Sequence, residues 1–324
     1  MATNTLPEQL TKYLTDAHSI ETQALAQMRT APDIAKEPRL AEAFRLHLGE
    51  TERHERTTRE LLEAHDASPS AVKEAVMAAG GKGFVLFARS QTDTPGKLAA
   101  HGISYEALEI GSYELLRRVA ERAGDVETAT AAQAILDDEL AMRDRIDADW
   151  DPIVDAALGS AASDDLRAHL VRYLQDAHAL EQQAIELLSK AQEMAGDPEL
   201  ARGYTEHLEE TRSHADRVAE RLEALGESPS RIKDVAMKLG GLNWGMFFGV
   251  QPDTPGKLAA FAYAFEHLEI GGYEQLVRVA RRAGDEETAR VAEGILQEER
   301  NAADLIASQW DRAAEASLRE QDVA

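Results

Sequence analysis

The chain repeats itself at an offset of 160 residues, as a comparison of Glu21 with Glu181 illustrates. No insertion breaks the register between about residues 13 and 150, so the repeated unit is a whole domain rather than one turn of a solenoid. The length of 324 residues also suits two domains, each with its own core. We therefore predict two fused copies of one domain, at 1–150 and 165–324, joined by a linker at 151–164.

Each copy has the composition and the turn signals of long helices. Ala, Leu, Glu, Arg and Gln dominate, while Gly, Pro and Asp cluster at a few places. In the first copy the predicted helices are 7–29, 38–64, 95–123 and 125–150, and the second copy follows at the same offset. The short connections near 30–37 and at Gly124 make neighbouring helices antiparallel. The predicted fold class is all-α.

The connection between the second and third predicted helices is much longer, about thirty residues, which is unusual for a compact domain. It contains Pro69, a short helical pattern at 72–79 and an apolar run at 84–87. Because such a segment can travel the length of a helical bundle, it permits parallel second and third helices. This is the topology of ferritin-like four-helix bundles with one long crossover, so we predict two such bundles in tandem.

Acidic residues lie on the apolar faces of the predicted helices. Glutamate on a helix is usually a solvated surface residue, but at about 100° per residue Glu21 and Glu139 fall in the middle of apolar stripes. Glu106 and Glu109 lie one turn apart on one inward face of the third helix. The second copy repeats the pattern with Glu181, Glu266, Glu269 and Glu299. These acids are predicted to be buried.

Buried carboxylates cost several kcal/mol each unless they are paired, protonated or bound to a metal ion. Arg143 lies near Glu139, but Ala303 takes the equivalent position in the second copy, so an arginine pair cannot be the solution in both. Each of these acids also lies about midway along its helix, so that all would meet at one level. A pair of divalent metal ions satisfies both observations.

The second helix contributes His-x-x-Glu-x-x-x-His, with His47 and His54 near the centre of the apolar stripe and Glu50 at its edge. A lone core histidine is more often a hydrogen-bonded structural residue than a ligand. Beside four inward acids, His54 becomes a candidate ligand, and His47 and His18 become either ligands or groups that orient the carboxylates. Their counterparts are His214, His207 and His178. Histidine at 65, 101, 169 and 267 has no histidine counterpart and is treated as incidental.

Composition excludes several classes of function. A net charge of -24 disfavours binding to nucleic acid and to anionic membranes. The absence of cysteine excludes disulfides, thiolate metal sites and iron–sulfur clusters, so any metal ion must be held by oxygen and imidazole nitrogen. We find no apolar run long enough to span a bilayer and no basic, apolar leader, and we expect a soluble cytoplasmic protein.

Several longer segments are similar to a known family. In the second copy they are 173–181, 207–211, 253–260, 266–273 and 295–299, which read YLQDAHALE, HLEET, DTPGKLAA, EHLEIGGY and ILQEE. These segments resemble the YciE/YciF type of ferritin-like proteins. The similarity covers both copies, nearly the whole chain apart from the linker and the tails.

The resemblance implies a carboxylate-bridged dimetal centre in each bundle, with two divalent ions per domain and an association with stress responses. Carried over by position, the ligands of the first copy are Glu21, Glu50, Glu106, Glu109 and Glu139, with His54 as a further candidate. Those of the second copy are Glu181, Glu210, Glu266, Glu269 and Glu299, with His214. The wider ferritin-like pattern has Glu-x-x-His on two helices. Here the fourth helix has Met142 or Ala302 at the histidine position, so oxygen ligands dominate and suit iron and manganese equally.

Three functions remain open from the sequence. The first is a dimetal redox protein that handles peroxide or dioxygen, either as a peroxidase with an external electron donor or by a catalase-like reaction. The second is metal storage, although a fused chain suits an internal pseudo-twofold pair, with or without further homo-oligomers, better than a closed cage. The third is a helical structural or interaction protein whose inward acids are protonated. The sequence does not decide whether the protein is an enzyme.

Overall fold

The computed structural model describes residues 5–70, 93–159, 163–230 and 254–323. Helices make up most of these residues, and no strand occurs among them. The chain forms two compact units, 1–157 with 321–324 and 158–320, called here the first and second unit. Within the described residues no helix is both long enough and apolar enough to cross a membrane.

The helices of the first unit begin and end at recognisable signals. Thr5 and Glu8 form a capping box at the first helix, and Pro38 opens the third. Gly124, with φ of 72°, follows the end of the fourth in the left-handed conformation that favours glycine. The helices are α1 (Leu6–Met28), α2 (Ala31–Ile34), α3 (Pro38–Ala64), α4 (Thr94–Ala123), α5 (Val126–Asp147) and α6 (Trp150–Leu158).

The second unit repeats this order, except that its first helix extends through the positions equivalent to α2. Its helices are α7 (Ser163–Met194), α8 (Pro198–Ala224), α9 (Thr254–Arg282), α10 (Glu286–Ala307) and α11 (Trp310–Glu320). The prediction of an all-helical chain with two repeated domains is confirmed. The predicted helix ends lie within one or two residues of the observed ends, with two exceptions. One is the end of the fourth predicted helix of each copy, and the other is α7, which runs 163–194 where 167–189 is predicted.

The sequence predicts that the fourth helix of the first copy continues through Trp150, whereas α5 ends at Asp147 and α6 begins at Trp150. The indole Nε1 of Trp150 donates a hydrogen bond to Asp147 at 2.8 Å across this break. The predicted linker at 151–164 overlaps α6, whose Ile153 and Val154 are fully buried. The segment is rich in Ala, Ser and Asp, a composition that suggests a linker, but its first part forms a short amphipathic helix.

The described part of each unit contains four long helices that pack around one core. In the first unit α1 packs on α3 and α4, and α5 packs on α4 and α3. Arg39 pairs with Asp149 near one end of α3, and His65 meets Asp125 at the other, so α3 and α5 are antiparallel. Helices α4 and α5 form a hairpin around Gly124. Consequently α3 and α4 are parallel.

The second unit has the same arrangement. Helix α7 packs on α8 and α9, and α10 packs on α9 and α8. Arg221 pairs with Asp285, and His214 with Glu298, so that α8 and α10 are antiparallel. The helical pattern at 72–79 and the apolar run at 84–87, predicted as parts of the crossover, lie outside the described residues.

Candidate metal centre

The four long helices of the first unit carry their polar residues inward at mid-helix. The side chains of Glu21 on α1, His47 on α3, Glu106 and Glu109 on α4, and Glu139 on α5 are completely buried. His54 on α3 is 3% exposed. Apolar neighbours such as Leu14 and Ile135 continue the same helix faces above and below, which explains why the acids cannot turn to water.

Two overlapping groups form in this interior. In the first group, one ligand atom each of His47, Glu106, Glu109 and Glu139 lies within 4.8 Å of all the others. Nε2 of His47 is 3.2 Å from Oε2 of Glu106 and 3.3 Å from Oε2 of Glu139. The second group consists of Glu21, His54 and Glu139, in which Nδ1 of His54 is 2.8 Å from Oε1 of Glu139. Because Glu139 offers one oxygen to each group, the two groups are adjacent.

The second unit builds the same two groups from equivalent residues. They are His207 with Glu266 and Glu299, and Glu181 with His214 and Glu299. Nδ1 of His214 is 2.7 Å from Oε1 of Glu299, and Nε2 of His207 is 3.0 Å from Oε2 of Glu266. Glu269 does not join either group at this spacing, but both of its carboxylate oxygens are buried beside them.

The other ring nitrogen of each histidine faces a carboxylate outside the groups. Nε2 of His54 lies 3.1 Å from Asp138, and Nε2 of His214 lies 2.8 Å from Glu298. Such a contact holds the ring orientation and leaves the remaining nitrogen aimed at the centre. Sequence reasoning missed Asp138 and Glu298, although each directly precedes an inward Glu on its helix.

Glu50, which the resemblance assigns as a ligand, lies behind His47 in the structure. Its Oε2 is 3.0 Å from Nδ1 of His47, and both of its oxygens accept hydrogen bonds from Arg145 at 2.8 and 2.9 Å. The counterpart Glu210 is 3.3 Å from Nδ1 of His207, and its side chain is 57% exposed. The structure therefore brings His47 and His207 into the groups and leaves Glu50 and Glu210 outside. The position of Glu50 at the edge of its apolar stripe was the sequence signal for this outcome.

The remaining histidines lie apart from the groups. Nε2 of His18 is 3.2 Å from Oε1 of Glu55, and His178 is likewise outside both groups. Nε2 of His101 is 3.0 Å from Gln27, and burial lowers the pKa of this imidazole to about 3. His65, His101, His169 and His267, which are predicted to be incidental, are not members of the groups found among the described residues.

Several oxygens of the buried carboxylates have no hydrogen-bond donor among the described residues. Among the described residues, both oxygens of Glu106, Glu109 and Glu139 are buried and accept no hydrogen bond. Nε2 of His47 and Nδ1 of His54 also lack a hydrogen-bond partner there, despite their short distances to carboxylates. These atoms point at shared space rather than at each other. That is the arrangement expected of ligands around a cation, so the residues fit a pair of metal ions.

Burial and mutual repulsion shift the protonation of these groups. Burial raises the pKa of Glu21 and of Glu106 to about 8, and the charge of Glu139 adds to the shift at Glu21. Burial and the neighbouring carboxylates raise the pKa of Glu109 well above its usual range. Burial opposes protonation of His54, but Glu139 and Glu21 outweigh it and raise its pKa to about 9. Without a cation the centre must therefore hold protons at neutral pH.

A tyrosine completes each centre. The hydroxyl of Tyr113 on α4 donates a hydrogen bond to Oε1 of Glu21, and Tyr273 on α9 donates to Oε1 of Glu181. Burial and the neighbouring Glu21 raise the pKa of Tyr113 well above its usual range, so its hydroxyl keeps its proton. This bond holds one oxygen of Glu21 in place, and the other has no partner among the described residues.

Comparison with known proteins gives one family and no structural relative. No solved structure matches this chain. A family model described as a domain of unknown function, DUF892, matches residues 5–158 and again residues 165–319. The two matches correspond to the two repeats and together cover nearly the whole chain. The chain therefore belongs to the DUF892 family and contains two copies of its domain.

Proposed function

We propose that this chain is a ferritin-like dimetal carboxylate protein that holds two iron or manganese ions in each domain and uses them in stress-related redox handling of peroxide or dioxygen. The observation that carries the proposal is the convergence of unpartnered, fully buried carboxylates and imidazole nitrogens in both units. The parallel directions of α3 and α4 support a ferritin-like four-helix bundle with a long crossover. The segments of the second copy that resemble the YciE/YciF type lie within the second match to DUF892, at 165–319.

Each of the two groups in a unit would hold one ion. In the first unit, His47, Glu106 and Glu109 would hold one ion, Glu21 and His54 would hold the other, and Glu139 would bridge them. The four carboxylates carry four negative charges, which two divalent cations neutralise while the imidazoles stay neutral. The ligands are mostly oxygen with one nitrogen for each ion, a set that both iron and manganese accept.

Bound iron or manganese would supply one-electron redox chemistry toward a small oxidant. The chain's own residues prepare the site for it. The apolar faces of the helices exclude bulk water, and Asp138 and Glu50 hold the two imidazole rings with one nitrogen inward. The Tyr113 hydroxyl keeps its proton and donates a hydrogen bond to Oε1 of Glu21, which leaves Oε2 of Glu21 for the cation.

A non-catalytic structural role is the alternative that one observation favours. Because burial raises the pKa of Glu21 and Glu106 to about 8, these carboxyls can exist as neutral acids inside a metal-free bundle. Such a bundle would be a helical scaffold with protonated acids in its core. Metal storage is a second alternative, and it shares the metal sites but not the reaction.

Elemental analysis separates the dimetal proposal from the structural alternative. The protein should be purified without added metal or chelator, and iron and manganese measured per chain. Roughly four ions per chain are expected, two for each domain as in other bundle dimetal proteins. A metal content near zero, together with thermal stability that chelation leaves unchanged, would overturn the proposal.

Peroxide turnover separates redox handling from storage. Loaded protein should consume hydrogen peroxide faster than metal-free protein. Release of dioxygen without a reductant indicates disproportionation, whereas dependence on an added electron donor indicates a peroxidase. Loaded protein that consumes no peroxide under either condition, and reduces no dioxygen, refutes the redox proposal and leaves storage.

A further inference from the structure

The second unit contains a cavity that reaches its candidate metal centre. The cavity has a volume of about 140 Å³, and His207, Glu266, Glu210, Tyr204, Ala302 and Leu305 are among the residues that line it. His207 and Glu266 belong to one of the two ligand groups, so the cavity ends at the ligands themselves. A cavity of this size in an engineered protein admits benzene. Space for a small molecule therefore adjoins this centre.

The equivalent positions of the first unit carry larger or paired side chains. Met142 replaces Ala302 and is fully buried, and Arg145 replaces Leu305. The guanidinium of Arg145 holds both oxygens of Glu50, whereas Leu305 gives Glu210 no charged partner and is itself 44% exposed. A methionine and a bidentate ion pair thus stand in the first unit where the second has an alanine and an open carboxylate.

The ligand residues are also more exposed to solvent in the second unit than in the first. The side chains of His47 and Glu106 are completely buried, while those of His207 and Glu266 are 8% and 3% exposed. The carboxylate behind the histidine is 13% exposed at Glu50 and 57% exposed at Glu210.

The cavity wall also has room at Gly203, where an added Cβ would meet no atom within 4 Å. Burial of the ligands and packing around them therefore agree that the second unit is the more open.

We infer that the metal centres of the two units are not equivalent: the second unit's cavity admits small neutral molecules to its metal centre, whereas Met142 and the Arg145–Glu50 pair close the corresponding route in the first unit. This inference rests on the proposed metal sites. Glu206 and Glu210 at the mouth of the cavity are exposed carboxylates, which disfavour anions. The molecule admitted is of peroxide or dioxygen size up to that of benzene.

Reciprocal exchange of the two closing positions tests the inference. The double substitution Ala302→Met with Leu305→Arg gives the second unit the closing side chains of the first. It should close the cavity, because Arg at position 305 can pair with Glu210. Met142→Ala with Arg145→Leu removes it from the first unit. Glu42→Gln, an exposed change on α3, is the matched control. Each variant should be loaded with Fe(II) under anaerobic conditions, and its iron content and circular dichroism recorded first.

The readout is the rate at which nitric oxide, a neutral diatomic molecule, binds the loaded protein, followed by stopped-flow absorbance. The unmodified chain should show a fast and a slow phase of similar amplitude, separated by about tenfold or more. Closing the second unit should slow the fast phase, and opening the first should accelerate the slow phase, while Glu42→Gln changes neither.

A single phase that neither exchange alters would overturn the inference while leaving the metal sites intact. A chain that binds no Fe(II) overturns the proposed function and, with it, the inference. If Ala302→Met with Leu305→Arg fails to fold, Arg145→Leu alone still tests the closure from the other side, since Arg145 is partly exposed. An unchanged slow phase in folded, loaded Arg145→Leu and in Met142→Ala with Arg145→Leu counts against the inference.

Discussion

Each histidine of the centre uses its two ring nitrogens for different purposes. In the first unit, Nε2 of His47 and Nδ1 of His54 face the buried carboxylates, and the opposite nitrogens face Glu50 and Asp138. The inner nitrogen is suited to a metal ion, and the outer nitrogen to a carboxylate that holds the ring. Substitutions on the two sides of one ring should therefore have different consequences.

Replacing His47 and replacing Glu50 should be distinguishable. His47→Asn removes a nitrogen from the first group, so we expect the first domain to lose at least one ion from a total of roughly four per chain. Glu50→Gln keeps that nitrogen, and we expect full metal content with affinity about 10 to 100 times weaker in the first domain. Metal content and competition with a chelator measure the two effects. If Glu50→Gln loses as many ions as His47→Asn, Glu50 is itself a ligand.

Asp138 and its neighbour Asp137 offer a closely matched pair. Asp138 faces Nε2 of His54, whereas Asp137 is exposed and accepts a hydrogen bond from Gln133 on the same helix. Asp138→Asn should weaken metal affinity in the first domain by about 10 to 100 times, and Asp137→Asn should leave it unchanged. Chelator competition is the measurement. Equal affinities for the two variants would show that Asp138 does not position His54.

At the scale of the helices, most boundaries could be predicted because a few residues determine them. Pro38 marks the start of α3, and Gly124 with Asp125 marks the turn between α4 and α5. The break before Trp150 is missing from the prediction, although Pro152 in the first turn of α6 is typical of a helix start. The bond from Trp150 to Asp147 spans the break.

The burial of the inward acids could also be predicted from periodicity, since Glu21 and Glu139 lie within continuous apolar stripes. For the choice between His47 and Glu50, periodicity gave one signal, the position of Glu50 at the edge of the stripe. It did not decide the choice, because residues three apart share a helix face and only the packing shows which one reaches the centre. The contact of Asp138 with His54 joins two helices far apart in sequence. A single sequence contains no signal for such a pairing.

The two units have different residues at one equivalent position that follows a helix. Lys36 has φ of 60° just after α2, while the equivalent Gly196 has φ of 63° just after α7. A side chain in this left-handed conformation is strained, and glycine is not. Lys36→Gly should raise the free energy of unfolding of the first unit by about 0.5–1 kcal/mol, since relief of strain exceeds the added flexibility of the unfolded chain.

Urea denaturation of metal-free protein measures the effect of Lys36→Gly as a shift of the midpoint. Gly196→Ala is the reciprocal change and should destabilise the second unit, because its Cβ would lie 2.7 Å from Cγ of Pro255. A midpoint that falls in Lys36→Gly would show that Lys36 makes a stabilising contact greater than its strain.

For the whole molecule, the charge inside the units matters more than the net charge of -24. Four carboxylates and two imidazoles in each interior can be made neutral either by protons or by two divalent cations. We therefore expect the metal-free and metal-loaded proteins to share one fold and to differ in how their stability depends on pH. Binding of metal must release protons from the centre, so affinity falls as pH falls.

Metal-free protein should lose stability as pH rises from about 5 to about 9. Burial raises the pKa of Glu21 and Glu106 from 4.5 to about 8, so their contribution is full below 4.5 and declines as pH rises toward 8. The pKa of His54 is raised from 6.5 to about 9, so its contribution is full below 6.5 and is lost by about pH 9. Glu50, with its pKa lowered to about 2 by His47 and Arg145 despite partial burial, acts in the opposite sense, but only below pH 4.5.

Calorimetry at pH 5, 7 and 9 should show the Tm of metal-free protein falling by about 5 °C or more. The Tm of loaded protein should stay level or rise over the same interval, because cations have replaced the protons. A metal-free Tm that stays constant or increases would mean that these acids are not protonated in the folded state.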